Sequence, residues 1–254
     1  MDDPQSFSVM TFNLRFGLAD DGDNGWENRK KGLPLLFDLY QPDFIGFQEV
    51  NNFQADFLYR LLDGYGFIGR RSPSPDFWQN NLIFYRQGWT CTKEDHFFLS
   101  KTPRVESRLD GSRWPRQCVL GRFERKGIIV IMGNTHFDFS AKVQEESAGL
   151  VLTFLSEFAS GLQSELPTVI TGDFNSNPGG SAHRVFKANG FEDSFQNSHS
   201  YTFHGFTGKA MGGHIDWILY RGGVKPLNRK IVRERFSGLF PSDHFPVVVE
   251  FIEL

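Results

Sequence analysis

The residues of this sequence with the clearest potential for chemistry follow a short β-branched run. The run is residues 168–171, Thr-Val-Ile-Thr, which indicates a buried strand, and Gly172 after it frees the backbone to turn. Asp173 and Asn175 then stand two residues apart and can project toward one side. A carboxylate beside an amide suits a metal-bound phosphate or water, but the same pattern is also common in ordinary turns.

Three other predicted strands also end on polar side chains. In each case an alternating or continuous apolar run indicates the strand, and a polar residue inside it needs either a buried hydrogen bond or a functional role. A carboxylate that ends a buried strand is costly unless it is paired. These strands are residues 7–16 with Asn13 and Arg15 on one face, residues 43–50 with Glu49, and residues 127–137 with the cluster Asn134, Thr135 and His136.

Two strands in the final third carry their polar groups at the start instead. They are residues 214–220, with His214 and Asp216, and residues 242–251, with Asp243 and His244. If these two strands run antiparallel to the other four in packed mixed sheets, all six polar clusters lie along one rim of a sandwich. That rim would gather acids, amides and histidines from the whole length of the chain.

Each polar group alone has an ordinary explanation, because an acid can cap a helix or pair at the surface and a histidine can be a satisfied core residue. Six clusters at one rim favour a site instead. Carboxylate and amide oxygens without cysteine favour a hard cation such as Mg²⁺ or Mn²⁺ over zinc, and such ions commonly act on phosphates. Asp216 and His244 also supply an acid that can orient an imidazole.

The elements that must position these groups alternate between strands and helices. Helical periodicity predicts helices at residues 27–40, 52–62, 141–159 and 181–189, the last closed by Gly190. Between residues 66 and 123 the pattern changes to short strands joined by loops rich in Gly, Pro and Ser, which is typical of antiparallel sheet. The fold class is therefore α/β.

The composition favours one globular domain that spans residues 1–254. The formal net charge of −3 argues against a non-specific duplex binder and leaves a local basic groove open. Two well-separated cysteines indicate neither a zinc cluster nor a disulfide framework. No run approaches the roughly 18 apolar residues of a membrane span, and no signal peptide is visible, so we expect a cytoplasmic protein. We also expect a monomer.

The loop at residues 101–116 combines basic side chains with an aromatic ring. It is either a solvated loop or a wall of arginine and aromatic groups for a phosphate or a base, with Trp114 and Arg116 as contacts. Further aromatic residues for a base-stacking groove are Trp78, Phe203 and Phe206. Core packing explains the two phenylalanines equally well. His199 and His204 are expected in loops.

Six motifs along the chain resemble the endonuclease/exonuclease/phosphatase superfamily, also called deoxyribonuclease I-like. They span nearly the whole sequence and are TFNLRF, GFQEV, NTHFD, TGDFNSNP, HIDWIL and SDHFPV. The stretches WENRK, WPRQC and YTFHGF further resemble bacterial members. The resemblance implies a four-layer α/β sandwich, ordered helix, sheet, sheet, helix, and the hydrolysis of a phosphoester with a divalent metal, Mg²⁺ or Mn²⁺.

The resemblance also implies how a cation and a water molecule would be held. Glu49 with Asn13 would hold the cation, and Asp243 would lie near the same cluster. Asp173 would activate or orient the attacking water, and Asn175 would position it. In-line attack on an anionic ester needs charge neutralisation and a deprotonated water more than covalent chemistry.

Further roles that the resemblance implies concern the substrate. His136 and His244 would donate to the phosphoryl oxygens as charge builds, and Asp216 would fix the imidazole of His244. Arg15 stands where other members carry an acid, which puts a second carboxylate ligand in doubt and makes a contact with substrate phosphate the expectation instead. Additional expected substrate contacts are Trp114, Arg116 and His214.

Three functions are compatible with these residues. The first is a phosphodiesterase or nuclease that cleaves nucleic acid, single-stranded nucleic acid included, or a nucleotide-like diester. The second is a phosphatase for a phosphorylated sugar, inositol or lipid headgroup, which the acidic balance and the absence of a long basic stretch favour. The third is a non-catalytic binding module, against which the intact polar clusters at six strand ends argue.

Overall fold

Two six-stranded β-sheets pack face to face in the computed structural model, which describes residues 6–161, 166–195 and 200–254. His199, expected in a loop, lies outside these residues. In chain order the strands are β1 (Ser6–Asn13), β2 (Phe44–Val50), β3 (Tyr65–Ile68), β4 (Asn80–Arg86), β5 (Thr90–Phe98), β6 (Gln117–Arg125), β7 (Ile128–His136), β8 (Thr168–Asp173), β9 (Glu192–Asp193), β10 (Asp216–Arg221), β11 (Val224–Ile231) and β12 (Val247–Glu253). The α-helices are α1 (Trp26–Arg29), α2 (Leu33–Leu39), α3 (Asn52–Leu61), α4 (Ala141–Phe158) and α5 (Ser181–Ala188).

In each sheet a central strand has one parallel neighbour and one antiparallel neighbour. The first sheet is ordered β11-β12-β1-β2-β4-β3, with β1 parallel to β2 and antiparallel to β12. The second sheet is ordered β5-β6-β7-β8-β10-β9, with β8 parallel to β7 and antiparallel to β10. The antiparallel placement predicted for the last two polar strands is therefore confirmed, since one lies in each sheet beside a strand that carries its polar groups at the opposite end.

Three apolar clusters fill the spaces between four layers. Strand alternation produces them, because successive side chains of one strand point to opposite faces of its sheet. Representative residues are Val9, Phe44, Val130, Val169 and Ile218 between the sheets; Met10, Phe12, Leu36, Phe47 and Leu58 between the first sheet and its helices; and Ile131, Leu155, Ile170, Phe186 and Trp217 between the second sheet and its helices. The predicted four-layer α/β sandwich is confirmed.

The helices keep their apolar residues on one side. α4 buries Val151, Leu155 and Phe158 at helical spacing. α3 begins with a capping box in which Asn51 and Gln54 each accept a hydrogen bond from the other's backbone N–H. α4 is the longest described helix, with 18 residues. No helix within the described ranges combines the length and the apolar character that crossing a membrane requires.

The helix predicted at residues 27–40 is two helices in the structure. A 3₁₀ turn at Lys30–Gly32 separates α1 from α2. Gly32 packs directly on Phe236, and a Cβ atom added to this glycine would lie 2.8 Å from the carbonyl oxygen of Phe236. Pro34 then lies in the first turn of α2, where a missing backbone N–H is tolerated. The periodicity of the sequence continues across this break and therefore does not reveal it.

A buried polar network joins the two sheets below the rim. Nε2 of Gln48 donates to Oδ1 of Asn134 at 2.7 Å, and Oγ1 of Thr171 donates to the same oxygen at 3.2 Å. Nδ2 of Asn134 donates to the carbonyl oxygens of Phe47 and Leu82. The sequence pattern groups Asn134 with His136 at the end of a strand, but its side chain lies between the sheets and holds them together.

Candidate active site at the rim of the sandwich

The inner faces of both sheets change from apolar to polar toward one rim. Along β8 this face carries Val169, then Thr171, then Asp173. The strand register places Asp173 between His136 on β7 and Asp216 on β10. Three titratable groups therefore stand side by side at the end of the second sheet.

These strand ends open into a cavity of about 610 Å³. The predicted site residues that line it are Arg15, Glu49, Trp114, Arg116, His136, Asp173, Asn175, Asp243 and His244. Asn13 and Asp216 lie behind the lining, and each is hydrogen-bonded to a residue that faces the cavity. The structure thus brings together all of the predicted catalytic, cation-binding and substrate-contacting residues except His214. Of the aromatic residues predicted for a base-stacking groove, Trp78 and Phe203 line the cavity and Phe206 does not.

Asp173 is the centre of this cluster. Its Oδ1 accepts the backbone N–H of Asn175 at 2.9 Å, and its Oδ2 accepts Nδ2 of Asn13 at 2.9 Å. Oδ2 also lies 3.4 Å from Nε2 of His136 and 3.8 Å from Nε2 of His244. Burial raises the pKa of Asp173 to about 7, against the opposing effect of the positive charge of His244. A carboxylate with this pKa can exchange a proton near neutral pH.

His244 and Asp216 form a buried pair. Nδ1 of His244 lies 2.9 Å from Oδ2 and 3.1 Å from Oδ1 of Asp216. Burial opposes protonation of His244, but the charges of Asp216 and Asp173 outweigh burial and raise its pKa well above the ordinary value. The ring is therefore an imidazolium that donates to Asp216 through Nδ1 and carries a second N–H at Nε2.

His136 is neutral, in contrast to the charged His244. Burial, together with the positive charges of Arg116 and His244, lowers its pKa well below the ordinary value, so the ring is neutral. Its Nε2 lies 3.1 Å from Nδ2 of Asn175, which also donates to the carbonyl oxygen of Phe137. Asn175 has a positive φ of 48°, a conformation that asparagine tolerates better than most residues.

Glu49 reaches the rim through an irregularity in its strand. Regular alternation would place it on the same face as Ile45 and Phe47, beneath the helices. The pairing of β2 with β4 shifts between Phe47 and Val50, and Glu49 itself has a positive φ of 63°. This bulge turns the carboxylate to the cavity, where Oε2 accepts the backbone N–H of Phe16 at 2.7 Å.

Asn13 connects the two carboxylates on opposite sheets. Its Nδ2 donates to Oδ2 of Asp173 at 2.9 Å and to Oε1 of Glu49 at 3.2 Å. Its Oδ1 accepts the backbone N–H of Arg15 at 2.9 Å. The amide nitrogen, which cannot bind a cation, therefore faces the carboxylates. The predicted role of Asn13 as an oxygen ligand stays a prediction. It requires the side-chain amide to rotate so that its oxygen faces the carboxylates.

The groups present fit a divalent cation. Ligand atoms of Glu49, His136 and Asp173 all lie within 4.8 Å of one another. Two carboxylates are oxygen donors of the kind that hard divalent cations prefer, and the neutral imidazole can add a nitrogen. A second such group combines Asp173, Asp216 and His244, but a protonated His244 that donates to Asp216 has no free ring nitrogen to offer. The first group is therefore the better cation site.

Asp243 and Arg15 occupy the other side of the cavity. Oδ2 of Asp243 lies 3.6 Å from Nη1 of Arg15, and its Oδ1 accepts the hydroxyl of Ser242 at 3.1 Å. Arg15 makes two hydrogen bonds to Asp21, which, with Asp243, raise its pKa despite partial burial. β1 ends at Asn13 and Arg15 has a positive φ of 63°, so the strand face predicted for Arg15 is wrong.

Arg116 is a buried cation whose guanidinium forms no hydrogen bond within the described residues. Its Nε lies 3.8 Å from Oδ2 of Asp138, and its guanidinium carbon lies 5.5 Å from the ring centre of Trp114. Burial lowers its pKa, while the charges of Asp173, Asp138 and Glu49 oppose the change. A guanidinium at the wall of a cavity that has an ion-pair partner but no hydrogen-bond partner is a suitable donor to a phosphate oxygen.

His214 lies away from the cavity, which corrects its predicted place at the site. The side chain is buried, its Nδ1 lies 2.8 Å from the hydroxyl of Ser200, and its ring packs against Phe195. The reason is strand phase: β10 begins at Asp216, so His214 precedes the strand and turns to the other side. His204 lies in a loop, as predicted, and its ring is buried against Phe245.

Arg29 was not predicted from the sequence, although it hydrogen-bonds to the backbone next to two residues of the site. This fully buried guanidinium donates to the carbonyl oxygens of Leu14 at 2.8 Å and Pro241 at 3.0 Å, and thereby joins the segments that carry Asn13 and Asp243. Its ring neighbours are Trp26 and Phe206, which explains why Phe206 does not line the cavity. One indication of this role was available in the sequence, because Arg29 is a charged residue within the WENRK motif.

Comparisons with known proteins agree with this geometry. A structure of an endonuclease/exonuclease/phosphatase family protein from Bacteroides thetaiotaomicron is 28% identical, with a TM-score of 0.90 over 99% of this chain and 96% of that chain. The mannosyl-6-phosphatase of the same species is 28% identical, with a TM-score of 0.89 over 96% of this chain and 99% of that chain. The catalytic domain of human Nocturnin with bound sulfate shares the fold, at 20% identity and a TM-score of 0.76 over 99% of this chain and 94% of that chain.

Sequence comparison gives the family directly. None of the curated protein sequences matches this chain significantly. The family model described as Endonuclease/Exonuclease/phosphatase family matches residues 10–244, a range that includes all of the polar strand ends described above. This chain therefore belongs to the endonuclease/exonuclease/phosphatase family, whose members hydrolyse phosphoester bonds.

Proposed function

We propose that this hydrolase is a divalent-cation-dependent phosphatase that releases phosphate from a small phosphorylated molecule. The observation that carries the proposal is the setting of Arg116, a buried guanidinium without a hydrogen-bond partner among the described residues, at the wall of the cavity that holds Glu49, Asp173 and His244. A phosphoryl group bound in this cavity would have the guanidinium of Arg116 and the carboxylate of Asp173 among its neighbours.

The residues that would hold the cation are Glu49 and Asp173, with His136 beside them. When bound, a divalent cation neutralises charge on the phosphoryl oxygens and lowers the pKa of water. Asn13 keeps the two carboxylates together across the sheets through hydrogen bonds to both. This arrangement supports the metal dependence of the proposed reaction.

The chain's own groups supply the proton transfers and the charge stabilisation. Asp173 orients the attacking water and accepts its proton, and the backbone N–H of Asn175 fixes the orientation of its carboxylate. His244, held charged by Asp216, donates from Nε2 to a phosphoryl oxygen as negative charge builds. Loss of one donor of this kind typically lowers the rate by about 10² to 10³.

Charge around the cavity supports a small substrate rather than a polynucleotide. Within the described part of the chain the lining has four carboxylates, from Glu49, Glu106, Asp173 and Asp243, and two guanidiniums, from Arg15 and Arg116. A strand of nucleic acid needs a run of cations along its phosphates. The 28%-identical structure of a mannosyl-6-phosphatase also supports a monoester substrate.

A nuclease or nucleotide phosphodiesterase is the second candidate. The observation that favours it is the loop at residues 101–116, where the guanidinium of Arg113 lies over the exposed ring of Trp114 and forms no ion pair within the described residues. Arginine beside an exposed tryptophan is a common arrangement for a nucleotide base and its phosphate.

A substrate screen separates the two candidates. Wild-type protein is assayed with Mg²⁺ or Mn²⁺ against hexose 6-phosphates, nucleoside 5′-monophosphates, glycerol 3-phosphate, single-stranded DNA and RNA. We expect phosphate release from monoesters, no release with EDTA, and at least a hundredfold loss in Glu49→Gln. The matched control is Glu145→Gln, because Glu145 is exposed on α4. Cleavage of DNA or RNA alone, falling steeply with salt, would reject the phosphatase.

A further inference from the structure

We propose that the outer part of the cavity is a binding subsite for a sugar ring, which is the leaving group of the phosphorylated substrate. The inference rests on the proposed phosphatase activity and names its substrate class. The subsite consists of the exposed rings of Phe77, Trp114 and Phe139, called here the aromatic collar, together with the polar residues Asn81 and Glu106.

The collar gathers exposed rings from three separate loops. Phe77 precedes β4, Trp114 precedes β6 and Phe139 follows β7, and their exposed fractions are 66%, 45% and 59%. All three line the same cavity. Large apolar side chains that remain exposed together at the mouth of a cavity mark a binding surface rather than a packing defect. The phosphate end of the cavity lies deeper, at the strand ends, so the collar faces whatever is joined to the phosphate.

The ring geometry favours a sugar over a nucleobase. Trp114 and Phe139 have ring centres 6.4 Å apart and planes at 65°, so they form no parallel slot for a flat base. The apolar C–H face of a pyranose needs one aromatic face and tolerates an edge beside it, which is the surface that the collar presents.

The polar groups beside the collar suit hydroxyls. Glu106 forms an ion pair with Arg71 at 2.7 Å, so its carboxylate can accept a hydrogen bond from a substrate hydroxyl without adding net charge to the subsite. Asn81 is buried, donates to the carbonyl oxygen of Gln117, and lines the same wall. Amide and carboxylate groups match ligand hydroxyls, which both donate and accept.

The positions of the guanidiniums that line the cavity favour a substrate with a single phosphate group. Of the two guanidiniums that line the cavity, Arg15 is held by Asp21 and Asp243, and Arg116 is the one without a hydrogen-bonded partner in the described structure. A second phosphate on the leaving group would find no further free guanidinium among the described residues that line the cavity, so we expect an uncharged leaving group.

The kinetic test compares three monoesters in the metal-loaded enzyme. The substrates are a hexose 6-phosphate, a nucleoside 5′-monophosphate and glycerol 3-phosphate, and the variants are Trp114→Ala and Phe77→Ala. The control is Tyr59→Ala, because Tyr59 is an exposed ring on α3 outside the cavity. We expect kcat/KM for the hexose phosphate to fall about tenfold through KM, the effect of losing one stacking contact, with a change below about twofold for glycerol phosphate. An equal loss for all three substrates, or a selective loss for the nucleotide, would overturn the sugar subsite.

A binding measurement separates failure of the subsite from failure of the phosphatase. Hexose 6-phosphate and glycerol 3-phosphate are titrated calorimetrically into the wild type and Trp114→Ala with EDTA present, so that turnover is not needed. Tighter binding of the hexose phosphate to wild type, lost in Trp114→Ala, supports the subsite even if no monoester is hydrolysed. Equal affinity for both ligands rejects the subsite, whatever the catalytic activity is.

Discussion

The carboxylate of Asp216 on the second sheet orients the imidazole of His244, which stands just before β12 of the first sheet. Nδ1 of His244 lies 2.9 Å from Oδ2 of Asp216, and both side chains are buried. Because Asp216 lies in the second sheet and His244 is held next to the first, the charged imidazole depends on the packing of the whole sandwich. The pair therefore links the global fold to the local chemistry of the cavity.

Replacement of Asp216 by Asn tests this link. The charge of Asp216 raises the pKa of His244 against the effect of burial, so its removal lowers that pKa and leaves the ring neutral over more of the pH range. We expect kcat/KM to fall about 10²-fold and the loss of activity on the alkaline side to begin at lower pH. The measurement is the pH profile of kcat/KM.

A matched control for this variant is Asp193→Asn. Asp193 is also buried and lies 3.5 Å from a histidine, His183, but neither residue lines the cavity. The profile of this control should keep its wild-type shape. If Asp216→Asn also retains the wild-type profile, Asp216 does not set the charge of His244.

Asp173 contributes less to the stability of the cation-free protein at neutral pH than at pH 4. Its folded pKa of about 7 exceeds the unfolded value of about 3.9, so the folded state binds more protons between these values. The contribution of Asp173 to stability therefore falls as pH rises from about 4 to about 7. Asp173→Asn removes this effect, and with EDTA we expect a melting temperature about 2–4 °C above wild type at pH 8.

The same comparison at pH 4 should show a smaller difference, because Asp173 is then protonated in the folded wild type. Differential scanning calorimetry at both pH values measures the effect. Asp38→Asn is the control, since Asp38 is exposed on α2. A melting temperature of Asp173→Asn that stays below wild type by the same amount at both pH values would contradict the raised pKa.

Arg29→Lys should destabilise the backbone segments behind the cavity that Arg29 joins by hydrogen bonds. Arg29 donates to the carbonyl oxygens of Leu14, Arg15, Asn24 and Pro241, and a single ammonium cannot reach all of them. Each buried carbonyl left unpaired costs about 1–3 kcal/mol, so we expect a loss of about 2–4 kcal/mol in the free energy of unfolding. Urea denaturation measures it. Arg60→Lys, at an exposed position on α3, should change stability by less than about 0.5 kcal/mol.

An unchanged urea midpoint in Arg29→Lys would show that the carbonyl contacts do not hold the two segments together. Reduced kcat in the folded variant is also expected, because Leu14 and Pro241 flank the segments that carry Asn13 and Asp243. Glycerol phosphate and hexose phosphate should be affected equally, since Arg29 lies outside the cavity.

Strand alternation made much of the site predictable from the sequence. A strand that buries Val169 and Thr171 on the inner face must place Asp173 on that face as well, and the same phase holds for His136 on β7. The opposite polarity of the last two clusters then required antiparallel strands, which the sheets contain. Periodicity therefore predicted both the rim and most of its residues.

Departures from regular backbone geometry were not predictable in the same way. Glu49 reaches the cavity because a bulge with positive φ reverses its direction, and Arg15 turns out of strand geometry in the same manner. His214 was misplaced because its position depends on where β10 begins, and the contacts of Asn134 between the sheets depend on how the sheets pack. No local pattern encodes these long-range constraints.

Calorimetric titration of Mn²⁺ into the wild-type protein and Glu49→Gln tests most directly whether Glu49 and Asp173 share a divalent cation. The cation-free carboxylates lie within ligand distance of one another, so the wild type should show saturable binding, with a melting temperature that rises with Mn²⁺ concentration. Glu49→Gln should lose both effects and Glu145→Gln neither. Equal Mn²⁺ affinity in the wild type and Glu49→Gln would contradict a cation at this site.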